Sequence, residues 1–130
     1  MSRLKLEQAP DVRKMVYDIV VTLNMDWIDI ERIGVLRSKG SKSTAIARIY
    51  GLPRVFQTAF KLEPLYVIEV ISERFDKLNQ EDQIKVLIHE LLHIPKSFSG
   101  GLRAHGKYVN HRIISKLYRE YLKRKGARQR

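Results

Sequence analysis

Apolar residues recur with a helical period in several stretches of the chain. After Pro10, which suits the first position of a helix, apolar side chains recur every three or four residues as far as Leu23. This pattern predicts an N-terminal amphipathic helix between these two residues. A second helix is expected to begin after Asn79, which can cap it while Asp82 completes a capping box.

The second helix has one apolar stripe, and a third helix follows near the C-terminus. The stripe comprises Ile84, Leu87, Ile88, Leu91 and Leu92. Pro95 should end this helix within about a turn of residue 93. After a glycine-containing bend at 99–101, the last helix is expected over about 107–125, with Gly126 placed to stop it. Its predicted inward side chains are Ile114, Leu117, Tyr118, Tyr121 and Leu122.

Strand patterns occupy the middle of the chain. Residues 32–38 and 44–50 are rich in Ile, Val and Ala, and the turn-like cluster at 39–42 between them favours a β-hairpin. The β-branched run at 65–71 predicts the central strand, and 53–60 is ambiguous, with a short helical turn as one interpretation. The expected fold is α+β: a sheet of about three mainly antiparallel strands with an N-terminal, a central and a C-terminal helix.

Composition limits the class of protein. With 130 residues and 44% hydrophobic composition, the chain is expected to form one domain over 1–125, followed by a basic tail at 126–130. The sequence has no cysteine, which excludes disulfides and thiolate metal ligands and fits a reducing compartment. No signal-peptide pattern or membrane-length apolar run is present. We therefore expect a cytoplasmic protein without a membrane partner.

The formal net charge is +11, and cations accumulate towards the C-terminus. They are Lys116, Arg119, Lys123, Arg124, Lys125, Arg128 and Arg130. The last five are candidates for binding nucleic acid, through which DNA or a DNA-bound protein could become a partner. The alternative is a solvated helix end, because cations near a helix C-terminus are favoured by the helix dipole. The sequence leaves both interpretations open.

The strongest chemical pattern lies within the second predicted helix. His89-Glu90-Leu91-Leu92-His93 is an HExxH string. Residues four apart share a helix face, so His89 and His93 can bind one Zn²⁺ per chain. Glu90 can then act as the general base for a water molecule. The string predicts a zinc-dependent hydrolase of peptide bonds.

A catalytic zinc usually takes three protein ligands, so one more donor is expected elsewhere. His105 follows a glycine-containing loop from which the chain can double back onto the motif, and His111 shares a helical face with inward residues. A carboxylate is the remaining option, although helical phase places Glu120 on the polar side. The histidine that is not a ligand could orient one or pack in the core. Arg103 and Tyr108, which flank His105, are candidates for stabilising the transition state.

The motif and its surroundings resemble a family. His89-Glu90-Leu91-Leu92-His93-Ile94-Pro95 and the later Gly100-Gly101-Leu102-Arg103-Ala104-His105-Gly106 are similar to metallopeptidases of phages and archaea. Upstream, the resemblance includes Ala47–Pro53 and Tyr66–Val70. This family is related in pattern to the SprT-like zincins, which similarly place a His-Gly pair before the helix after the motif. The resemblance implies a small zincin-like protease in which His89, His93 and His105 bind zinc and Glu90 is the base.

Two other functions are also compatible with the positive net charge of the chain. A zinc-dependent, nucleic-acid-associated hydrolase would use clustered histidines, but the known small zinc enzymes of RNA maturation lack the glutamate of HExxH. A non-enzymatic nucleic-acid-binding protein would explain the charge and leave the histidines unexplained. Glu90 therefore favours a peptide or protein substrate.

Overall fold

The computed structural model describes residues 3–128. The four strands are β1 Lys5–Gln8, β2 Ile33–Lys39, β3 Ala47–Gly51 and β4 Tyr66–Ile71. The five α-helices are α1 Pro10–Thr22, α2 Arg54–Phe60, α3 Ser72–Phe75, α4 Gln80–Leu92 and α5 His111–Arg128. A 3₁₀ turn, Ile30–Arg32, precedes β2. The α+β class is therefore confirmed.

The sheet has the order β1-β2-β4-β3 and is mixed. β4 pairs in parallel with β2 and antiparallel with β3, while β1 is antiparallel to β2. The central position of β4 confirms the prediction for residues 65–71. The predicted hairpin is wrong, because β4 lies between β2 and β3. Four strands replace the expected three, since the short β1 has no distinctive apolar alternation.

β4 takes the central position because it is apolar on both sides. Ile68, Val70 and Ile71 have no exposed surface, and even Glu69 is only 6% exposed. A strand buried in this way gains most from a neighbour on each edge, which satisfies its backbone groups. A hairpin between β2 and β3 would have left β4 with a free edge.

α1 and α4 match their sequence predictions closely. α1 buries Val12, Val16 and Ile19 in the core that α4 and β4 also form. α4 begins where expected, because the Asn79 side chain accepts a hydrogen bond of 2.9 Å from the backbone N–H of Asp82. The helix ends at Leu92, one residue before His93, which agrees with the end predicted from the position of Pro95.

α5 differs from its prediction at both ends. Its start moves to His111 because the side chain of Asn110 accepts a hydrogen bond of 2.9 Å from the backbone of Ile113, as a helix N-cap does. The helix then continues through Gly126 to Arg128, so that glycine does not stop it. Of the residues predicted to face inward, Tyr121 is buried, Leu122 is exposed, and the remaining three are half-buried.

The single-domain division at 125 and 126 stays a prediction. Residues 126–128 of the predicted tail belong to α5, and its last two residues lie outside the described part of the chain. Across residues 3–128, no helix combines the length and apolar character needed to cross a membrane.

Candidate metal centre

α4 brings His89 and His93 to one side of its last turn. The two imidazoles are half-buried, whereas the apolar residues of the same helix are packed in the core. Their Nε2 atoms are 3.2 Å apart. This proximity follows directly from the i, i+4 spacing on a helix.

His105 joins the pair from the loop between α4 and α5. Its Nε2 lies 2.9 Å from Nε2 of His89, and the ligand atoms of the three histidines all lie within 4.8 Å of one another. A tetrahedral cation with metal–nitrogen bonds of about 2.0–2.1 Å places its ligand nitrogens about 3.3 Å apart. The three imidazoles therefore fit around one metal ion and leave a fourth position open.

A backbone hydrogen bond orients the ring of His93. Its Nδ1 lies 2.5 Å from the carbonyl oxygen of Arg103, which can only accept a hydrogen bond. Nδ1 therefore carries the hydrogen, and the lone pair on Nε2 is free to point at a metal. No pattern in the sequence indicated this contact.

The electrostatics of the cluster favour a neutral imidazole at His89. Burial, together with the nearby His93 and His105, lowers the pKa of His89 to about 4. Its Nδ1 is 3.5 Å from a carboxylate oxygen of Glu90, and near neutral pH this contact joins an uncharged ring to the acid. A neutral imidazole is the form that binds metals.

Glu90 is buried within α4. Only 6% of the residue is exposed, and burial raises the pKa of its carboxyl group to about 7. A carboxyl group with this pKa can take up and release a proton close to neutral pH, which suits general acid–base chemistry.

A comparison with protein families gives a match that includes both the HExxH motif and the loop that carries His105. The family described as "Putative phage metallopeptidase" matches residues 4–125. The chain belongs to this family. Comparison with curated proteins and with solved structures gave no match. The relation to SprT-like zincins stays a prediction.

Membership of the phage metallopeptidase family supports a metal-dependent peptidase acting on a peptide or protein. A metal-dependent peptidase needs a metal site, and the three-histidine cluster could provide one. His111, the alternative ligand, lies on the surface at the first residue of α5 and is outside the cluster found in residues 3–128. The prediction that His111 points inward is wrong.

Arg103 and Tyr108 lie beside each other, and Arg103 contacts His93 of the histidine cluster. The guanidinium of Arg103 is 4.8 Å from the centre of the Tyr108 ring, and it donates hydrogen bonds to the carbonyl of Leu92. Tyr108 is half exposed. A transition-state role for either residue stays a prediction.

Sequence reasoning missed the residues that hold the His105 loop in place. The hydroxyl of Tyr66 donates to the carbonyl of Gly101 and accepts from the N–H of Gly100, both at 2.8 Å. Gly51 allows this approach, because a Cβ there would lie 1.9 Å from the Gly100 carbonyl oxygen. A tyrosine at the start of a buried strand was the available signal, since its buried hydroxyl needs a partner.

The basic C-terminal residues have partners within the protein. Lys125 and Arg128 form ion pairs with Asp18 of α1, at 3.1 and 3.4 Å. Arg124 pairs with Glu120 at 2.8 Å and donates to the carbonyl of Thr22. Lys123 is exposed, and Arg130 lies outside the described residues. Three of the five proposed nucleic-acid-binding cations therefore tie α5 to the rest of the fold.

Asp18 is the centre of this α1–α5 contact, since the Tyr121 hydroxyl also donates to it. Burial alone would raise the pKa of Asp18, but the hydrogen bonds from Tyr121 and Lys125 and the nearby charges hold it below its ordinary value. A lowered carboxyl pKa stabilises the fold above the ordinary pKa, and this stabilisation is lost as the pH falls through the lowered value.

Asp18→Asn is expected to reduce the free energy of unfolding by about 1–2 kcal/mol at pH 7, because it removes a charge that several donors share. Urea denaturation measures the effect, and the difference from wild type should shrink as the pH falls below about 4. Asp26→Asn, an exposed change, is the control. Equal stability of Asp18→Asn and wild type at pH 7 would show that the contact contributes nothing.

Proposed function

We propose that this protein is a zinc-dependent metallopeptidase in which His89, His93 and His105 bind the metal and Glu90 is the general base. The observation that carries the proposal is the convergence of three Nε2 atoms at 2.9 and 3.2 Å. Three imidazoles without a thiolate or carboxylate in the cluster suit zinc and leave a position for water.

Zinc bound here would supply a Lewis acid and lower the pKa of water in its open position. The residues of the chain provide the remaining chemistry. Glu90 takes the proton from the attacking water and later gives it to the leaving amine. In the metal-free chain burial raises the pKa of Glu90 to about 7, so both protonation states that the two transfers need are accessible near neutral pH. His93 is held in the binding tautomer by the Arg103 carbonyl.

The sheet offers a place for the peptide substrate. β3 is the last strand of the sheet, and α4, which bears the motif, packs next to it. An extended peptide added along the outer edge of β3 would bind through main-chain hydrogen bonds. Recognition of this kind gives modest sequence selectivity, and peptide selectivity would then depend on side-chain contacts beside the strand.

Nucleic-acid binding is the second candidate function. The +11 charge favours it, and a peptidase directed to DNA-bound proteins in the cytoplasm would use such a surface. The internal ion pairs of Lys125 and Arg128 weaken the case for the C-terminal residues as the binding surface. Peptide hydrolysis therefore remains the better-supported function.

Metal analysis tests the proposal directly. Protein stripped with a chelator, reconstituted with zinc and freed of excess metal is expected to contain about one zinc per chain. His89→Ala should contain much less, because two imidazoles cannot hold the ion as tightly. Hydrolysis of casein should disappear on chelation and return with zinc. A wild-type protein that takes up no zinc would refute the metallopeptidase proposal.

A further inference from the structure

The C-terminal end of α4 carries carbonyl groups that the helix itself cannot satisfy. Two of them, on Leu92 and His93, accept hydrogen bonds from a single residue of the following loop. Arg103 donates from Nε and Nη2 to the Leu92 carbonyl at 3.1 and 2.9 Å, and from its backbone N–H to the His93 carbonyl at 2.7 Å. The loop is therefore docked on the helix end that bears the metal motif.

The same residue completes a reciprocal contact with His93. The Arg103 carbonyl accepts from Nδ1 of His93, so the backbone of Arg103 bonds both the main chain and the ring of one candidate ligand. His105, a second candidate ligand, follows only two residues later along the chain. A shift of Arg103 would displace His105 and break the hydrogen bond that orients the ring of His93.

The side chain of Arg103 suits this position better than another cation would. Its planar fork directs two donors at one carbonyl, and its guanidinium carbon lies over the Tyr108 ring, 4.8 Å from the ring centre. Its positive charge also lies at the negative end of the α4 dipole. A lysine could keep the charge but would lose the fork.

We propose that Arg103 is a positioning residue of the metal centre, which docks the loop onto α4 and so sets the place of His105 and the tautomer of His93. The inference rests on the proposed zinc site. It gives Arg103 a different role from transition-state stabilisation, because its Nε and Nη2 donors are bonded to the Leu92 carbonyl. Arg103 then acts on the metal through its ligands.

Arg103→Ala is expected to weaken zinc binding about 10- to 100-fold, the usual cost of losing a group that orients a metal ligand. The backbone bonds to His93 and the Tyr66 anchor remain, so the loss should be partial. Zinc affinity is measured by competition with a chromophoric chelator. The visible spectrum of the cobalt-loaded protein provides a second readout, and it should change because the ligand geometry changes.

Arg103→Lys and Arg54→Ala complete the experiment. The lysine variant should bind zinc with an affinity between those of wild type and Arg103→Ala, whereas Arg54→Ala, an exposed change on α2, should match wild type. If Arg103→Ala does not fold by circular dichroism, the lysine variant decides. Wild-type zinc affinity with an unchanged cobalt spectrum, in the alanine variant or in the lysine variant that replaces it, would overturn the inference.

Zinc binding by the wild-type protein distinguishes failure of this inference from failure of the proposed function. If the wild-type protein binds no zinc, the metallopeptidase proposal fails, and the role of Arg103 fails with it. If wild type binds zinc and Arg103→Ala binds it equally well, only the role of Arg103 fails. A loss of turnover at unchanged zinc affinity and unchanged cobalt spectrum would instead assign Arg103 to the transition state.

Discussion

Glu90→Gln is expected to lose peptide hydrolysis while keeping its zinc. The amide preserves the shape of the buried side chain but cannot accept the proton from water, and such a loss usually costs about 10²–10⁴ in rate. The three imidazoles are unchanged, so the zinc content should match wild type. Casein hydrolysis and metal analysis of the same preparations measure the two properties.

The stability of Glu90→Gln provides an internal check on folding. Burial raises the pKa of Glu90 from 4.5 to about 7, so ionisation costs the native state free energy as the pH rises through this range. The metal-free variant should therefore be at least as stable as metal-free wild type at pH 8. Glu81→Gln, an exposed change on the same helix, is the activity control. Equal hydrolysis by Glu90→Gln and wild type would refute the proposed base.

His105→Ala is expected to have the largest effect on zinc affinity of any change outside the HExxH motif. It removes a nitrogen that lies 2.9 Å from Nε2 of His89, and two imidazoles remain. The loss should exceed the 10- to 100-fold expected for Arg103→Ala, because a ligand is removed and not merely misplaced. Competition with a chromophoric chelator measures both variants on one scale.

His111→Ala is the matched control, since it removes the same side chain from an exposed position nearby. Its zinc affinity should be close to that of wild type. The expected order of loss is His105, then Arg103, then His111. Weaker binding by His111→Ala than by His105→Ala would transfer the ligand role to His111 and remove the geometric basis of the proposed site.

The short-range features of the site could be predicted from the sequence because they depend on neighbours along the chain. Helical spacing places His89 and His93 on one side of α4, and the Asn79 cap fixes where that helix starts. The helical period of apolar residues likewise predicted α1, and the apolar run of β4 indicated that this strand lies inside the sheet. These elements needed no information about the rest of the fold.

Helical periodicity was insufficient to predict the burial of a residue where the packing of neighbouring elements decides it. His111 lies on the helical face predicted to turn inward, but it stands at the very first turn of α5 and remains exposed. A periodic pattern identifies a face of a helix and cannot tell how far the neighbouring elements extend along it. Ile114, one turn later, is half-buried, so the neighbouring elements begin to cover this face of α5 there.

By itself, the sequence determined α1, α4, most of α5, the central strand and the spacing of two of the three histidines, since hydrophobic period, caps and ligand spacing act over a few residues. The tertiary structure decided the strand order, the arrival of His105 and the pairing of Lys125 with Asp18. Each of these joins segments that are distant along the chain. Their proximity depends on which arrangement buries the most apolar surface and satisfies the most backbone groups, a property of the whole fold.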